Sequence, residues 1–349
     1  MENQEYEPIP APVTWFGSKS RLVKQITSHF PEHKTFVDVF GGSGVVLLGR
    51  RPSKVEVYND INSKMAALYH VLSCPQKTAE LQRRLNFTPY SRSEFDACKH
   101  GVDSIDDEIE IARQMIVIQR QSHGGLGKQW SYCVDAPAAG YSASVRKFHA
   151  GIERLSEVSR RIRKVQVDNL PWESVLTRYD REQTLFYLDP PYIPETRVNG
   201  NYEHEMSPQD HERLVDHLLK IKGLAVLSGY QHPIYSPLEN AGWQRVEIDT
   251  IASTSKNRSK RIETLWISPN CKKPVAKGVM PPTDEPSDLS RQQQAAYRTH
   301  EVRVSQSEQK ITEAIRTLKR LKKRVSKAEV SRMTGINRVQ ISRRYAHLF

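Results

Sequence analysis

Short apolar segments that stop at turn-forming residues, with helix-like stretches between them, constrain the fold of this 349-residue chain most strongly. The run TFVDVF ends at Gly41 and Gly42, and the run TLFYL ends at Asp189 and Pro190. The second strand must stop there because proline cannot donate to a strand ladder. Strands that alternate with helices in this way predict an α/β fold with a doubly wound sheet.

The first strand-helix-strand segment predicts a ligand site. A short helix, VVLLGRR, follows the glycine turn, and the next strand, KVEVYND, presents Asp60 at its end. Glycine lets the backbone approach a ligand closely, and a carboxylate at the second strand end can accept hydrogen bonds from ribose hydroxyls. Each feature alone has a plainer explanation, since glycine turns also serve packing and a lone Asp can be a helix cap. Their order along the chain favours an adenosyl or nucleotide ligand.

Helix-rich, polar sequence from about residue 70 to 165 interrupts the sheet pattern and predicts an insertion. It contains the loop QRQSHGGLGKQWSYCVDAPAAGYSAS. After the insertion and the strand TLFYL, the sequence predicts a helix, SPQDHERLVDHLLKIK, with Ser207 as its N-cap. The strands LAVLSGY and RIETLWIS follow.

Charge separates the chain into a body and a tail. The net charge is +12, yet 18 of the 52 basic and 7 of the 40 acidic side chains follow Ser268, which leaves the body nearly neutral. Residues 269–300 are rich in Pro, Lys, Asp and Gln without periodicity and predict a linker. We therefore expect a large domain over 1–268 and a small basic domain over 301–349, with a polyanionic partner.

Other features narrow the class of protein. No apolar run approaches the roughly 18 to 20 residues of a membrane helix, and the N-terminus lacks a signal pattern, so we expect a cytoplasmic protein without a membrane partner. The four cysteines show neither CxxC spacing nor nearby His pairs. We expect reduced thiols and no metal site.

The segment Asp189-Pro190-Pro191-Tyr192 carries the strongest chemical signal. Two prolines fix the backbone and remove two N–H donors, so their carbonyls can act as acceptors in a site. The amino group of a purine is a poor nucleophile because its lone pair is delocalised, and acceptors placed against its N–H bonds stabilise the positive charge that develops during its attack. Asp189 and the Pro190 carbonyl suit that role, although a simple strand terminator would have the same sequence.

Several motifs in order resemble the Dam-type DNA adenine methyltransferases over roughly Val13 to Ile267. They are TWFGSKSRLV, TFVDVFGGSG, YNDINSKMAALYHVL, LDPPY, LSGYQHPIYSPL and RIETLWIS. The resemblance implies a Rossmann-like, S-adenosyl-L-methionine-dependent methyltransferase sheet with a helical target-recognition insertion, to which the C-terminal sequence adds a small all-α domain. It implies that the following residues bind the cofactor: Trp15, Lys19, Asp38, Phe40, Gly41, Gly42, Gly44, Asp60 and Asp189.

The resemblance also implies the reaction. The enzyme would extrude an adenine from double-stranded DNA, stack it on Tyr192 and methylate its N6 directly, without metal. Two alternatives stay open. Cytosine N4 poses the same chemical problem, and the body could belong to a DNA-binding regulator that has lost activity, although the intact Trp15, Lys19, Asp60 and DPPY argue against the latter. The oligomeric state and any restriction partner stay open too.

The chain departs from the Dam pattern at two places. Ser18 replaces the second of two glycines before Lys19, a small change. The stretch QSHGGLGKQWSY does not reproduce the RxNxxGxFNxPFG-like hairpin of GATC readers, so the recognition sequence is open. We predict that groove contacts come from this loop, although a solvated loop would look similar. The candidate DNA-binding residues are Arg120, Gln121, His123 and Lys128.

The C-terminal sequence resembles a helix-turn-helix. Apolar residues at spacings of three and four predict an amphipathic helix over about 307–323. A short helix from Lys327 to Met333, a turn at Gly335 and a recognition helix over about 337–345 follow. We predict that the major groove is read by Asn337, Arg338, Gln340 and Arg344. A dimerisation or docking unit is the alternative, but 12 basic and 3 acidic residues from Ser305 onward favour DNA.

Overall fold

The chain divides into two units, Met1–Lys277 and Gly278–Phe349. The computed structural model describes residues 6–101, 106–134, 142–196, 203–251 and 260–272 of the first unit. It describes residues 310–318 and 325–336 of the second. In these ranges, each helix is too short or too polar to cross a membrane.

One sheet organises the described part of the first unit. Its strands are β1 (Thr35–Asp38), β2 (Val55–Asn59), β3 (Gln166–Asp168), β4 (Thr184–Leu188), β5 (Leu224–Gly229), β6 (Gln244–Ile251) and β7 (Lys260–Ile267). The order is β3-β2-β1-β4-β5-β7-β6, in which β1 to β5 are parallel and β7 runs antiparallel to both neighbours. The predicted doubly wound sheet is confirmed. Its strand order reverses between β1 and β4, and ligands bind such sheets outside the carboxyl ends of the strands at this switch point.

Helices cover the sheet and form the region between β2 and β3. They are α1 (Val23–Thr27), α2 (Val45–Leu48), α3 (Ser63–Leu72), α4 (Pro75–Asn86), α5 (Arg92–Gly101), α6 (Glu108–Gln121), α7 (Ala143–Glu153), α8 (Leu155–Ile162), α9 (Trp172–Tyr179), α10 (Pro208–Leu218) and α11 (Ser236–Asn240). The helices α4 to α8 lie within the range, about 70–165, where the sequence predicts an insertion.

Both faces of the sheet are buried, which explains why its central strands are apolar runs rather than alternating ones. All five residues of β4 are buried. Leu185 and Tyr187 pack into the core that includes α3 and α6, while Phe186 and Leu188 pack into the core that includes α9 and α10. The sheet therefore forms the middle of three layers.

Local sequence signals set several element ends. Ser207 caps α10 as predicted, since its hydroxyl accepts from the Asp210 N–H while the Asp210 carboxylate accepts from the Ser207 N–H. This capping box satisfies two N–H groups that the helix itself cannot. The helix ends at Leu218, before the predicted end, and the Lys222 and Gly223 N–H groups that follow donate to Asp180.

Two edge strands lack the apolar pattern that reveals the others. The strand β3 has three residues and none of them is fully buried, and β6 reads QRVEIDTI with charged residues at alternate positions. The first unit also packs beyond the predicted boundary at residue 268. A 3-10 turn covers Pro269–Lys272, and the Asn270 amide donates to the carbonyls of Ile221, Lys222 and Gly223.

The described part of the second unit contains helical residues 310–318 and the helix Lys327–Thr334. The Ser326 hydroxyl caps the latter, and Gly335 ends it with a φ of 70°, so the predicted short helix and glycine turn are confirmed. A small core holds Ile311, Ala314, Ile315, Leu318 and Val330. The predicted recognition helix, with Asn337, Arg338, Gln340 and Arg344, lies outside the described residues.

Candidate active site

An ion pair joins the N-terminal segment to the carboxyl end of β4. The Lys19 ammonium donates to Oδ1 and Oδ2 of Asp189 at 2.7 and 2.8 Å and to the Gly17 carbonyl at 3.2 Å. The Lys19 side chain is 6% exposed and that of Asp189 is 20% exposed. The structure therefore brings together two predicted site residues that are 170 positions apart, and it leaves Asp189 as the more accessible partner.

A second buried carboxylate, Glu263 on β7, completes this cluster. Its Oε1 accepts hydrogen bonds from the Tyr192 hydroxyl and the Ser228 hydroxyl, each at 2.5 Å, and lies 3.9 Å from the Lys19 Nζ. Together Lys19, Asp189, Tyr192, Ser228 and Glu263 are called the β4 cluster below. The cluster carries one more negative than positive charge when Lys19, Asp189 and Glu263 are all charged.

The Tyr192 ring lies in the wall of the β4 cluster. The Lys19 Nζ is 4.8 Å from the centroid of the ring, and Tyr230 packs against it edge-on at 4.6 Å between centroids. Only 7% of Tyr192 is exposed. The predicted stacking of this ring on an adenine stays a prediction, and the contacts observed here give Tyr192 a place beside the charged groups.

Two tyrosines contact the glycine turn and hold it in place. The rings of Tyr58 and Tyr69 stack at 3.8 Å between centroids, and their hydroxyls donate to the carbonyls of Gly42 and Ser43. A Cβ at Gly41 would lie 2.3 Å from Cε2 of Tyr58, and one at Gly44 would lie 2.1 Å from the Tyr69 hydroxyl oxygen. The glycines are thus required for packing as well as for any approach of a ligand.

Trp15 and Asp60 also contact the glycine turn. A Cβ at Gly42, where φ is 48°, would lie 2.9 Å from the Trp15 Nε1. The Asp60 carboxylate accepts from the N–H groups of Gly42 and Asn62, at 2.7 and 2.8 Å. Asn62, rather than Asp60, provides the N-cap of α3.

Burial raises the pKa of four carboxyl groups at this edge of the sheet. They are Asp38, Asp60, Asp189 and Glu263. The charges of Asp189 and Asp60 raise the pKa of Asp38 further, whereas the Lys19 ammonium lowers the pKa of Asp189 and of Glu263. Negative charge is thus costly at this edge of the sheet without a cation.

The predicted DNA-reading loop has two internal and two exposed candidates. Arg120 donates to the carbonyls of Pro12 and Ala11, at 2.6 and 3.2 Å, and Gln121 is fully buried with its amide on the Pro89 carbonyl. In this structure Gln121 has no surface with which to touch DNA, and the Arg120 guanidinium is held by backbone oxygens. His123 and Lys128 are exposed, and for them the prediction stands.

An aromatic group lies next to these exposed residues. Tyr132, which is 67% exposed, stacks with Trp130 at 6.2 Å between centroids, and the Arg92 guanidinium lies 5.0 Å from the Trp130 ring. Sequence reasoning did not single out Arg92 or Tyr132.

Other residues of the site were also missed from the sequence. Glu263 could have been suspected, because a carboxylate interrupts the apolar strand RIETLWIS. No comparable signal marks Ser228, Tyr58, Tyr69 or Tyr230, since hydroxyl-bearing residues are common in strands and helices. The four cysteines are free, and the described residues contain no group of three or more potential metal ligands.

The sheet and its switch point define an α/β fold that brings the β4 cluster and the glycine turn to the carboxyl ends of β1 and β4. A family model described as the D12 class N6 adenine-specific DNA methyltransferase matches residues 15–237, and the chain belongs to this family. The match spans Trp15, Lys19, the glycine turn, Asp60 and the DPPY segment. It favours adenine over the cytosine alternative. No curated protein matches the chain.

Proposed function

We propose that this protein transfers a methyl group from S-adenosylmethionine to N6 of an adenine that has been rotated out of duplex DNA. The observation that carries the proposal is the position of the β4 cluster, whose Asp189 is partly open, beside the glycine turn at the switch point. The β4 cluster suits an amine, and the glycine turn suits an adenosyl ligand.

The buried carboxyl groups at this edge of the sheet favour S-adenosylmethionine over a phosphate-bearing nucleotide. Phosphate sites in doubly wound folds use free N–H groups at a glycine turn and a helix N-terminus. Here the Gly42 N–H already donates to Asp60, and α2 has four residues. Buried carboxylates would repel phosphates but attract a sulfonium and an ammonium group. The residues present therefore fit this cofactor.

Each predicted cofactor residue would have a task in binding. Trp15 and Phe40 offer flat apolar surfaces beside the turn, and Asp38, Asp60 and Asp189 offer negative charge. Gly41, Gly42 and Gly44 let the backbone of the turn approach the ligand closely, and Lys19 holds Asp189 in place. When bound, S-adenosylmethionine supplies an electrophilic methyl group.

The target amine would be held by acceptors of the chain itself. Asp189 and the Pro190 carbonyl would accept from the two N–H bonds of N6, which stabilises the positive charge that develops on the nitrogen. Pro191 has no N–H to compete for these acceptors. The base must first leave the stack, at a cost of a few kcal/mol.

Recognition of the duplex would involve both units. In the first, His123 and Lys128 are exposed next to the Tyr132 and Trp130 rings, and cationic and aromatic side chains of this kind suit phosphates and bases. In the second, Asn337, Arg338, Gln340 and Arg344 would read the major groove.

A product analysis tests the proposal. The protein is incubated with unmethylated duplex DNA and S-adenosylmethionine carrying a labelled methyl group, and the DNA is digested to nucleosides. We expect label in N6-methyladenine, and a loss of at least about a thousandfold in Asp189→Ala because a charged acceptor at the reacting nitrogen is removed. Asp96→Ala, at an exposed carboxylate on α5, is the matched control and should retain the wild-type rate. Label in N4-methylcytosine, or near-normal turnover by Asp189→Ala, would refute the assignment.

A further inference from the structure

We propose that Glu263 is a positioning residue of the methyl-transfer site, which shares the Lys19 ammonium with Asp189 and anchors the Tyr192 hydroxyl. This inference rests on the proposed function. Glu263 lies beyond residues 15–237, the part of the chain that the family model matches.

Glu263 changes the charge balance of the β4 cluster. The Lys19 ammonium donates to both oxygens of Asp189, so this pair alone would be neutral and one lone pair on each Asp189 oxygen would be occupied. Glu263, 3.9 Å from the same ammonium, supplies a second negative charge. The excess negative charge leaves Asp189 a stronger acceptor for a target amine that becomes positive during the reaction. A neutral side chain at position 263 would remove this excess.

Glu263 is buried, yet its carboxylate has partners. A buried carboxylate far from any partner would be protonated or would destabilise the fold, whereas Glu263 accepts from two hydroxyls and faces one cation. The Tyr192 donor follows directly on the Asp189-Pro190-Pro191 segment. A short hydrogen bond from its hydroxyl to β7 therefore fixes the end of the segment that carries Asp189 and the Pro190 carbonyl.

Glu263 therefore acts on the reaction through other residues. Its side chain is 5% exposed, and the groups it contacts are Tyr192, Ser228 and Lys19. It thus differs from Asp189, which is open enough to touch a ligand. Loss of the Glu263 charge should alter the rate and its pH dependence without abolishing cofactor binding.

The test compares the wild type with Glu263→Gln, which keeps the shape of the side chain and one acceptor oxygen. In single turnovers at saturating S-adenosylmethionine and DNA, we expect the rate at its plateau to fall at least about tenfold. The rate requires ionised Asp189, and the removal of a neighbouring negative charge makes that carboxyl a stronger acid. The midpoint of the acid limb should therefore move to lower pH.

Binding without turnover gives a second readout. Calorimetry should show that Glu263→Gln weakens the binding of cationic S-adenosylmethionine more than that of S-adenosylhomocysteine, whose sulfur is neutral. The reason is that the variant lacks one negative charge of the β4 cluster. Equal effects on both ligands, together with an unchanged pH midpoint, would overturn the proposal.

Glu56→Gln is the matched control for a structural role. Glu56 is also a buried glutamate in the sheet. It lies on β2, away from the β4 cluster, and is paired with Arg50 and Arg161. This variant should lower the unfolding temperature but leave the pH midpoint in place. A shift of the midpoint in Glu56→Gln equal to that in Glu263→Gln would contradict a specific role for Glu263.

Tyr192→Phe keeps the proposal testable if Glu263→Gln does not fold. It removes the hydroxyl that Glu263 anchors but retains the ring, and we expect the single-turnover rate to fall about three- to tenfold. A wild-type rate in Tyr192→Phe would overturn the anchoring part. If the wild type itself methylates no DNA, the proposed function fails instead, and the two failures are thereby distinguished.

Discussion

At the residue scale, Asp38 shows how a ligand site costs stability. Burial, followed by the charges of Asp189 and Asp60, raises the pKa of Asp38 well above its ordinary value of 3.8. An acid whose pKa is raised in the folded state favours folding at pH values below its unfolded pKa, and this contribution is lost as pH rises towards the folded pKa. Neutral pH should therefore be unfavourable for the ligand-free protein at this position.

We accordingly expect Asp38→Asn to stabilise the ligand-free protein, and more so as the pH increases from about 4 to about 8, because the amide cannot ionise. A gain of 1 kcal/mol would raise the unfolding temperature by about 2–4 °C. Thermal unfolding at a series of pH values measures this. The same variant should bind S-adenosylmethionine more weakly. A pH-independent difference in unfolding temperature would show that Asp38 does not titrate as described.

Arg120 and Lys128 form a second comparison between single residues. Arg120 joins α6 to the backbone of Ala11 and Pro12, and a Cβ at Gly151 would lie 2.2 Å from its guanidinium carbon. We expect Arg120→Ala to destabilise the first unit by about 2–4 kcal/mol, since buried carbonyls lose their donor. Lys128 is exposed, so Lys128→Ala should keep the stability and weaken DNA binding.

Denaturant unfolding and DNA titrations of both variants separate these effects. If Arg120→Ala is as stable as the wild type but binds DNA poorly, the guanidinium must leave its carbonyl partners when DNA binds, and the interpretation of Arg120 as a structural residue is wrong.

At the element scale, the glycine turn and its tyrosine supports act together. The turn holds its shape because Tyr58 and Tyr69 donate to its carbonyls, and the glycines leave space for the rings. Gly44 also has a φ of 64°, which disfavours other residues. Substitutions on either side of this contact should therefore affect the turn in the same direction.

We expect Gly44→Ala to destabilise the first unit by about 1–3 kcal/mol and to weaken cofactor binding, because the new Cβ would overlap the Tyr69 hydroxyl. Tyr69→Phe should have a smaller effect, about 1 kcal/mol, from one lost hydrogen bond. In Gly44→Ala/Tyr69→Phe, removal of the hydroxyl should recover part of the loss. Unfolding and calorimetric titration measure both quantities, and strictly additive losses would contradict the contact.

At the scale of the whole molecule, the tail should be separable from the chemistry. The 3-10 turn Pro269–Lys272 packs on the first unit, so a shortened protein should end at Lys277 rather than at the predicted boundary at residue 268. We expect this protein to fold and to methylate DNA at low salt, with lower DNA affinity. Loss of about three to five phosphate contacts would flatten the dependence of log affinity on log salt by about three to four.

DNA titrations over a range of salt concentrations check this expectation. An unchanged slope together with a change from dimer to monomer would favour the dimerisation alternative for the tail. Insoluble shortened protein would instead show that the second unit is required for the fold of the first.

The sequence by itself determined the elements whose signals are local. The strand ends at Gly41 and Asp189 follow from turn chemistry, the Ser207 cap follows from its hydrogen-bonding capacity, and the apolar runs follow from burial on both faces. The motif order also determined the family. The edge strands β3 and β6 escaped prediction because half-exposed strands need no apolar pattern.

Only the tertiary structure decided which groups meet. Lys19, Asp189 and Glu263 lie far apart in the chain, and their contact depends on the reversal of strand order between β1 and β4 and on the antiparallel return of β7. Arg120 has the side chain of a DNA reader, yet packing against the N-terminal segment gives it backbone partners. Side-chain chemistry is local, whereas burial and distance result from the whole fold, so the chemistry could be inferred from the sequence and the partners could not.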